Sequence, residues 1–344
     1  MLTVYSDTHL KRQARTELYG GQLVPPHECP ERVAYVLDRV RATRLGEVVP
    51  PRGYGRAPIA RVHDAGYLNF LEHAWDEWLK AGYPGEAIPT CWPARRMAQR
   101  IPTHIDGKLG YYAASSESSI SAGTWEASLG AVDVALTAAQ ALRDGATGAF
   151  ALCRPPGHHA ASDMYCGYCF LNNAAIAAQW LRDQGAGRVA ILDVDFHHGN
   201  GTQDIFYDRG DVFFASLHGD PREAFPHFLG YEDETGIGAG EGFNANYPLP
   251  RGADYPVWSE ALKSALGRIA AFAPDVLVVS LGVDTFQSDP ISFFKLTSDD
   301  FSRYGELIGG LRVPTLFALE GGYAVEEIGV NVVNVLAGYE SVAR

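Results

Sequence analysis

The chain has 344 residues, of which 47% are hydrophobic and 20% are charged, and its formal net charge is −13. These proportions are ordinary for a globular protein and exclude a chain that is disordered over most of its length. The acidic balance disfavours non-specific binding of nucleic acid, which needs a basic surface, but it is compatible with a small cationic substrate. On charge alone, an acidity that only keeps the protein in solution is the better interpretation.

Two kinds of segment are not predicted in this sequence. It does not open on a basic region followed by an apolar one, and it has no run of about 18 apolar residues, so neither a signal peptide nor a membrane span is expected. The sparse, odd-numbered set of five cysteines indicates reduced thiols in a cytoplasmic protein. Cys166 and Cys169 form a lone C-x-x-C pair and are expected to be packing residues, because a structural zinc site usually needs a second pair.

The predicted elements change in character along the chain. The first part predicts a short strand at 2–6 and helices at 31–43 and 68–81. Residues 83–123 are a long irregular stretch, and loops of this length are usually functional or disordered. Its aromatic residues favour a packed loop.

From residue 124 onwards, helices and strands alternate. Helices are predicted at 125–144, 173–184, 257–273, 299–311 and 324–337, and strands at 149–153, 188–194, 212–217, 276–281 and 315–319. Because these strands are apolar throughout and are separated by helices, they predict a parallel sheet covered on both faces. We expect a single α/β domain over 1–344, with the first third adding helices and loops around the sheet.

Polar residues follow five of the predicted strands. The segments are R-P-P-G-H-H at 154–159, D-F-H-H-G-N at 195–200, H-G-D at 218–220, G-V-D at 282–284 and E-G-G-Y at 320–323. Active sites of open parallel sheets lie beyond the carboxyl ends of the strands. The convergence of histidine, aspartate and tyrosine at these ends therefore predicts an active site at one edge of the sheet.

One subset of these residues has the chemistry of a metal site. Asp195 and His197 are two residues apart, so an extended backbone would point both to the same side. Asp284 directly follows another apolar strand and is the best candidate for a third ligand. Two carboxylates and one imidazole leave a position open for water, which is typical of a catalytic zinc, and ferrous iron accepts the same ligands. Taken alone, Asp195 could instead cap the next segment and His197 could pack.

A second subset has the chemistry of proton transfer. His158 and His159 could supply the base that activates water and the acid that protonates a leaving nitrogen. Asp193 and Asn200 are polar neighbours that are free to orient the imidazoles. Tyr323 follows two glycines and could hydrogen-bond a carbonyl oxygen as negative charge develops on it. Taken alone, the His-His pair is more typical of a surface turn, and a tyrosine beside glycines is more typical of packing. Only the combination of these features predicts a hydrolase.

Several segments carry a family resemblance. R-P-P-G-H-H, D-V-D-F-H-H-G-N-G-T-Q, S-L-G-V-D and E-G-G-Y, in this order, resemble the histone deacetylase superfamily from about residue 149 to the C-terminus. Asn200 and the G-N-G-T-Q run are similar to its class II branch. The segments E-L-Y-G-G at 17–21, V-H-D-A-G-Y at 62–67 and F-P-H-F-L-G at 225–230 resemble the bacterial acetylpolyamine amidohydrolases, so the resemblance extends over nearly the whole chain.

The resemblance implies a fold and a set of catalytic roles. The fold would be the arginase/deacetylase α/β/α sandwich with a parallel sheet of about eight strands. The implied zinc ligands are Asp195, His197 and Asp284. His159 would be the general base and then the general acid, and His158, paired with Asp193, would act mainly through its charge. Tyr323 would polarise the amide carbonyl.

The resemblance also implies residues that bind the substrate and structural potassium. The implied substrate-binding residues, which would form the channel walls and an acidic mouth, are Tyr168, Phe225, Glu17, Tyr19, Asp106, Glu117 and Ile291. A first potassium site would use Asp193, Asp195, His197, Ser216 and Leu217. A second would use backbone oxygens near Phe206, Arg209, Val212 and Phe243.

The stretch 83–123 resembles the insertion that gives polyamine deacetylases their homodimer and their narrow channel. The implied substrate is a small cationic acetylated amine, namely acetylputrescine, acetylcadaverine, acetylspermidine or acetylspermine, and no nucleic acid or membrane partner is expected. Three alternatives stay open. An arginase-like hydrolase needs two metals and a D-x-H-x-D order, whereas this chain has D-x-D-x-H. A protein acetyl-lysine deacetylase would use the same chemistry, and a non-catalytic acyl-binding module would be expected to lack the tyrosine or a metal ligand.

Overall fold

Strands and helices alternate along most of the chain. The computed structural model describes residues 1–343, which form ten strands and nine α-helices. The strands are β1 (Leu2–Val4), β2 (Glu17–Tyr19), β3 (Gln22–Val24), β4 (Val48–Val49), β5 (Gly148–Ala151), β6 (Val189–Asp193), β7 (Val212–Gly219), β8 (Asn244–Leu249), β9 (Val276–Leu281) and β10 (Thr315–Leu319). The helices are α1 (Glu31–Thr43), α2 (Ala65–Lys80), α3 (Ile105–Tyr111), α4 (Thr124–Arg143), α5 (Asn173–Asp183), α6 (Asn200–Phe206), α7 (Tyr255–Phe272), α8 (Ser298–Gly309) and α9 (Ile328–Val342).

Eight of the strands form one parallel sheet in the order β4-β1-β5-β10-β9-β6-β7-β8. Each face of the sheet is covered by its own hydrophobic core. In β6, Ile191 belongs to the core beneath α2, α4 and α5, whereas Leu192 belongs to the core beneath α1, α7, α8 and α9. Covering both faces explains why the strands are apolar throughout. The predicted α/β/α sandwich with about eight parallel strands is confirmed.

The strand order brings the polar segments together. Strands β10, β9 and β6 are neighbours, with Leu319 opposite Leu281 and Asp193 opposite Ser280. The residues that follow these strands therefore leave the same edge of the sheet side by side. Strand β5 lies next to β10 and brings the segment that begins at Arg154 to this edge as well.

Six elements were missed by the sequence prediction, among them the two-residue strand β4. Strands β2 and β3 form a small antiparallel hairpin, and α3 lies inside the stretch that was predicted to be irregular. Helix α6 is only seven residues long, which is too short for a periodic apolar pattern. Strand β8 contains two asparagines and Pro248, which disfavour a strand, but it is the edge strand of the sheet, where proline is tolerated.

The remaining differences are small. The last helix was predicted at 324–337 and is observed at Ile328–Val342, because the residues after Tyr323 first form turns. In the stretch 83–123, Ala87 pairs with Ile120 and the Tyr112 ring is buried, so the two ends of this stretch are packed, as predicted. Residues 90–101, including Trp92, are exposed instead. All five cysteines have free thiols. Within residues 1–343, none of the helices combines the length and the apolarity that a membrane crossing requires.

Candidate active site

Three buried side chains that can bind a metal lie together at the sheet edge. Asp195 and His197 are on the loop after β6, and Asp284 follows β9. One possible ligand atom of each lies within 4.8 Å of the others. His197 Nδ1 is 3.2 Å from Asp195 Oδ1 and 3.0 Å from Asp284 Oδ2. The spacing of two residues in the first loop and the neighbouring position of β9 account for this grouping.

Backbone forms the walls around the two carboxylates. A Cβ atom at Gly282 would lie 2.0 Å from Asp195 Oδ2, and one at Gly321 would lie 2.4 Å from an oxygen of both Asp195 and Asp284. The N–H of Gly321 donates to Asp195 Oδ2 at 2.7 Å, and the N–H of Phe196 donates to Asp284 Oδ1 at the same distance. Glycine is required at 282 and 321 because only a residue without a side chain allows this approach.

The charges at this cluster favour the binding of a cation. Burial and the neighbouring charge of Asp195 raise the pKa of the Asp284 carboxyl. Burial alone would lower the pKa of His197, but its bonds to Asp195 and Asp284 outweigh that effect and raise the pKa to about 10. A divalent ion that bound to these donor atoms would replace the proton that His197 shares with the two carboxylates, and the proton would be released to solvent. The oxygen and nitrogen donors fit zinc or ferrous iron.

The two adjacent histidines have different partners. Their ring centroids are 4.0 Å apart. Nδ1 of His158 lies 2.9 Å from Asp193 Oδ2, whereas Nδ1 of His159 lies 2.6 Å from Asn200 Oδ1. Burial alone would lower the pKa of His158, but Asp193 and Asp195 raise it to about 10. Burial and the charge of His158 hold the pKa of His159 well below its usual range. One ring is therefore protonated and the other neutral at pH 7.

The loop that carries Tyr323 is held from two sides by residues that the sequence analysis missed. On one side, Arg32 Nε donates to the carbonyl oxygen of Gly322 at 2.7 Å, and the guanidinium lies 4.9 Å from the centre of the Tyr323 ring. On the other side, Asp289 accepts the N–H of Tyr323 at 2.7 Å and the N–H of Ile291 at 3.1 Å. The sequence did contain a signal for Arg32, because this charged residue lies among the apolar residues of the buried face of the 31–43 helix.

A second missed feature lies behind this loop. Glu28 accepts hydrogen bonds from Arg12, Arg32 and Arg154 at 3.1, 3.3 and 2.7 Å, and all four side chains are buried. Burial alone would raise the pKa of Glu28, but Arg154 and Arg12 lower it to about 2. This one carboxylate connects the N-terminal segment, α1 and the segment that leads to His158.

A cavity of about 430 Å³ opens above the histidines and the metal-binding cluster. The predicted substrate-binding residues that line it are Tyr19, Glu117, Tyr168, Phe225 and Ile291, and His159, His197 and Tyr323 form part of its lining. The other two predicted residues do not line it. Glu17 is buried behind Tyr168, whose hydroxyl donates to it at 3.2 Å, and Asp106 lies on α3. Glu223 and Arg251 line the cavity but were not predicted.

Tyr168, one of the aromatic residues in the cavity wall, lies at the tip of a tight turn. Cys166 and Cys169 exchange backbone hydrogen bonds and close the turn, and Tyr168 adopts a positive φ of 69°. A Cβ atom at Gly167 would lie 2.2 Å from the His159 ring, so glycine is needed there. The C-x-x-C pair therefore shapes the wall through its backbone, while both thiols stay buried.

The two predicted potassium sites surround β7. Asp193 and Ser216 of the first set are direct neighbours across β6 and β7. In the second set, the carbonyl oxygens of Phe206 and Phe243 each accept a backbone hydrogen bond. The structure therefore brings Asp193 and Ser216 of the first set together. The residues of the second set lie at the end of α6, in the loop that follows it, at the start of β7 and just before β8.

Comparison with known proteins agrees with this site. The histone deacetylase domain matches residues 26–339, and the chain belongs to the histone deacetylase family. The protein is a deacetylase, a hydrolase of linear amide bonds, and the predicted superfamily and enzyme class are confirmed.

Within this family, the acetylpolyamine amidohydrolases are especially similar. The chain is 60% identical over 338 residues to the acetylpolyamine amidohydrolase of Mycoplana ramosa, covering 98% of this chain and 99% of the relative. It is 58% identical to acetylpolyamine amidohydrolase 2 of Pseudomonas aeruginosa over the full length of both. The crystal structure of an acetylpolyamine aminohydrolase from Burkholderia pseudomallei matches with a TM-score of 0.95 and 41% identity over 99% of each chain.

Proposed function

We propose that this protein removes acetyl groups from acetylated polyamines, releasing acetate and a free amine. The observation that carries the proposal is the cavity that leads to His159 and Tyr323 and has the carboxylate of Glu117 in its wall. One oxygen of Glu117 is buried and has no hydrogen-bond partner among residues 1–343. Because Glu117 lines the cavity and forms no ion pair among the described residues, an ammonium group in the cavity would pair with its carboxylate. The names of the similar enzymes point to the same substrates.

In this proposal Asp195, His197 and Asp284 would hold one zinc ion, or ferrous iron in its place. When bound, the metal supplies a Lewis acid for the amide carbonyl and for the attacking water. Tyr323 donates a hydrogen bond to the carbonyl oxygen as negative charge develops there. This tyrosine is uncharged because burial raises its pKa well above the usual value, so the hydroxyl retains the proton that it donates.

Proton transfer belongs to His159. The side-chain oxygen of Asn200 accepts a hydrogen bond from the Nδ1–H group of His159. In the neutral ring this leaves Nε2 unprotonated and able to act as a base. Its low pKa keeps the ring neutral until it takes a proton from the attacking water, and it then passes that proton to the leaving nitrogen. His158 stays protonated beside Asp193 and contributes positive charge.

The finer parts of the proposal concern assembly and location. We propose one domain over 1–344, structural potassium at the two sets of residues around β7, and a cytoplasmic homodimer formed through 83–123. The exposed apolar side chains of Trp92, Met97 and Ile101 in that stretch support a subunit contact. In such a dimer, Asp106 adds negative charge near the channel mouth, whereas Glu17 stays buried behind Tyr168. Sedimentation of the protein and of a Met97→Glu variant tests the dimer, and an unchanged monomeric mass for both would contradict it.

The experiment that tests the function is a panel of substrates with and without a chelator. Acetylputrescine, acetylcadaverine, acetylspermidine and acetylspermine should be hydrolysed with a higher kcat/KM than an acetyl-lysine peptide. Chelation should abolish the activity, and added zinc should restore it. A higher kcat/KM for the peptide would instead identify a protein deacetylase.

A further inference from the structure

Three residues with a fixed charge line the cavity within the described part of the chain, namely Glu117, Glu223 and Arg251. They differ in whether their charge is compensated. Since a polyamine substrate carries one ammonium group or several, the number of free carboxylates in the wall bears on which substrates fit. This reasoning rests on the proposed function and narrows it.

Arg251 and Glu223 compensate each other. Arg251 Nε lies 2.9 Å from Glu223 Oε2. The guanidinium also lies 4.3 Å from the centre of the Phe293 ring, and that ring packs edge-on against Phe196 at 4.7 Å. The ion pair and the aromatic contact together hold Arg251 at the cavity, and Glu223 lies two residues before the wall residue Phe225.

Glu117 has no such partner. Its buried oxygen Oε2 accepts no hydrogen bond from residues 1–343. The side chain lines the cavity without a compensating cation among the described residues, so an ammonium group that enters the cavity would pair with this carboxylate. The fixed charges of the cavity lining therefore amount to one free negative charge.

We propose that Arg251 determines the substrate class. Because its positive charge compensates the negative charge of Glu223, the cavity favours acetylated diamines with one free ammonium group. Acetylputrescine and acetylcadaverine are of this kind, and their single ammonium pairs with Glu117. Acetylspermidine and acetylspermine carry further ammonium groups. A second ammonium near Glu223 meets the positive charge of Arg251 and has to displace it, so these substrates are bound less well.

The test compares kcat/KM for N1-acetylspermidine with kcat/KM for acetylputrescine in the same preparation. Arg251→Met removes the positive charge and keeps an apolar chain over Phe293, so the ratio should rise roughly two- to fivefold, the range for one exposed charge. Glu223→Gln leaves Arg251 without its partner, so the ratio should fall. Both changes should be larger at low ionic strength.

Arg222→Met is the matched control. Arg222 forms a similar exposed pair with Asp220 at 2.9 Å, but it does not line the cavity. Its removal changes the net charge by the same amount and should leave the ratio unchanged. Equal shifts for Arg222→Met and Arg251→Met, or no shift for Arg251→Met and Glu223→Gln, would overturn the inference. If the unsubstituted enzyme hydrolyses no acetylpolyamine, the proposed function itself fails.

Discussion

At the scale of single residues, the hydrogen-bond partner at Nδ1 separates the roles of His158 and His159. An aspartate holds the first ring protonated, whereas the amide of Asn200 leaves the second neutral. The adjacent position of the two rings strengthens this difference, because the charge of His158 lowers the pKa of His159. In the mechanism that we propose, a pair of identical residues therefore supplies one fixed charge and one group that exchanges protons.

This difference predicts the effect of Asn200→Asp on the pH profile. A carboxylate at Nδ1 would favour the protonated form of His159 and raise its pKa by about one unit or more. The active form is the neutral base, so activity is lost as pH falls through this pKa. The acidic limb of the kcat/KM profile should therefore move to higher pH. A limb that stays in place or moves to lower pH would contradict the role of His159 as the base.

Tyr323→Phe tests the hydroxyl that we assign to the developing oxyanion. Removing one such donor should lower kcat by about 10²- to 10³-fold. The loop itself should persist, because Arg32 and Asp289 bind its backbone rather than the hydroxyl. Metal content and circular dichroism should match those of the unsubstituted protein, and near-normal turnover would refute the assignment.

Glu117→Gln tests the carboxylate in the cavity wall. It should raise KM for acetylputrescine several-fold at low ionic strength, because the ammonium loses the one uncompensated carboxylate that the described residues place in the lining. Glu260→Gln, at an exposed position on α7, changes the net charge equally and should leave KM unchanged. A KM unaffected by Glu117→Gln would argue against an acidic subsite.

At the scale of elements, the loop after β10 is fixed between an arginine of α1 and an aspartate of the loop after β9. Asp289→Ala removes the acceptor for the N–H groups of Tyr323 and Ile291. A displacement of Tyr323 by about 1 Å could lower kcat by as much as about 10²-fold. The change in KM should be small, and Asp289→Asn should restore part of kcat because it keeps one acceptor oxygen. If KM rose while kcat stayed unchanged, a positioning role for Asp289 would be contradicted.

The functional residues at the strand ends were predictable from the sequence, but the residues that hold them in place were not. Asp195, His197, Asp284 and Tyr323 follow apolar strands, and the carboxyl ends of parallel strands share one edge of the sheet. Arg32 acts on a loop that lies 290 residues further along the chain. Nothing local in the sequence encodes such a contact, because it depends on how α1 packs against the finished sheet. The pairing of Glu223 with Arg251 is hidden for the same reason.

At the scale of the whole molecule, Glu28 joins three separate parts of the chain through its arginines. Glu28→Gln should leave buried guanidinium groups without their counter-charge and lower the free energy of unfolding at pH 7 by roughly 3 kcal/mol. Chemical denaturation of both proteins measures the difference. A change well under 1 kcal/mol would show that the cluster is not a main source of stability.

The pH dependence of that difference is fixed by the direction of the Glu28 shift. The pKa of Glu28 in the folded protein is about 2, below the value of 4.5 for a free glutamate. Its contribution is fully present above pH 4.5 and is lost as pH falls towards 2. The stability curves of the two proteins should therefore converge in acid. Curves that converge at alkaline pH instead would contradict the charge network.

The glycine backbone around Asp195 and Asp284 has a consequence for natural and designed variants. At 282 and 321, a single methyl group would occupy space that already belongs to a carboxylate oxygen. A conservative change to alanine alters neither the proposed ligands nor the net charge, yet it would displace a carboxylate oxygen that we assign to the metal. We therefore expect such variants to be inactive although every proposed ligand is still in the sequence. Counting ligand residues in an alignment would not detect them.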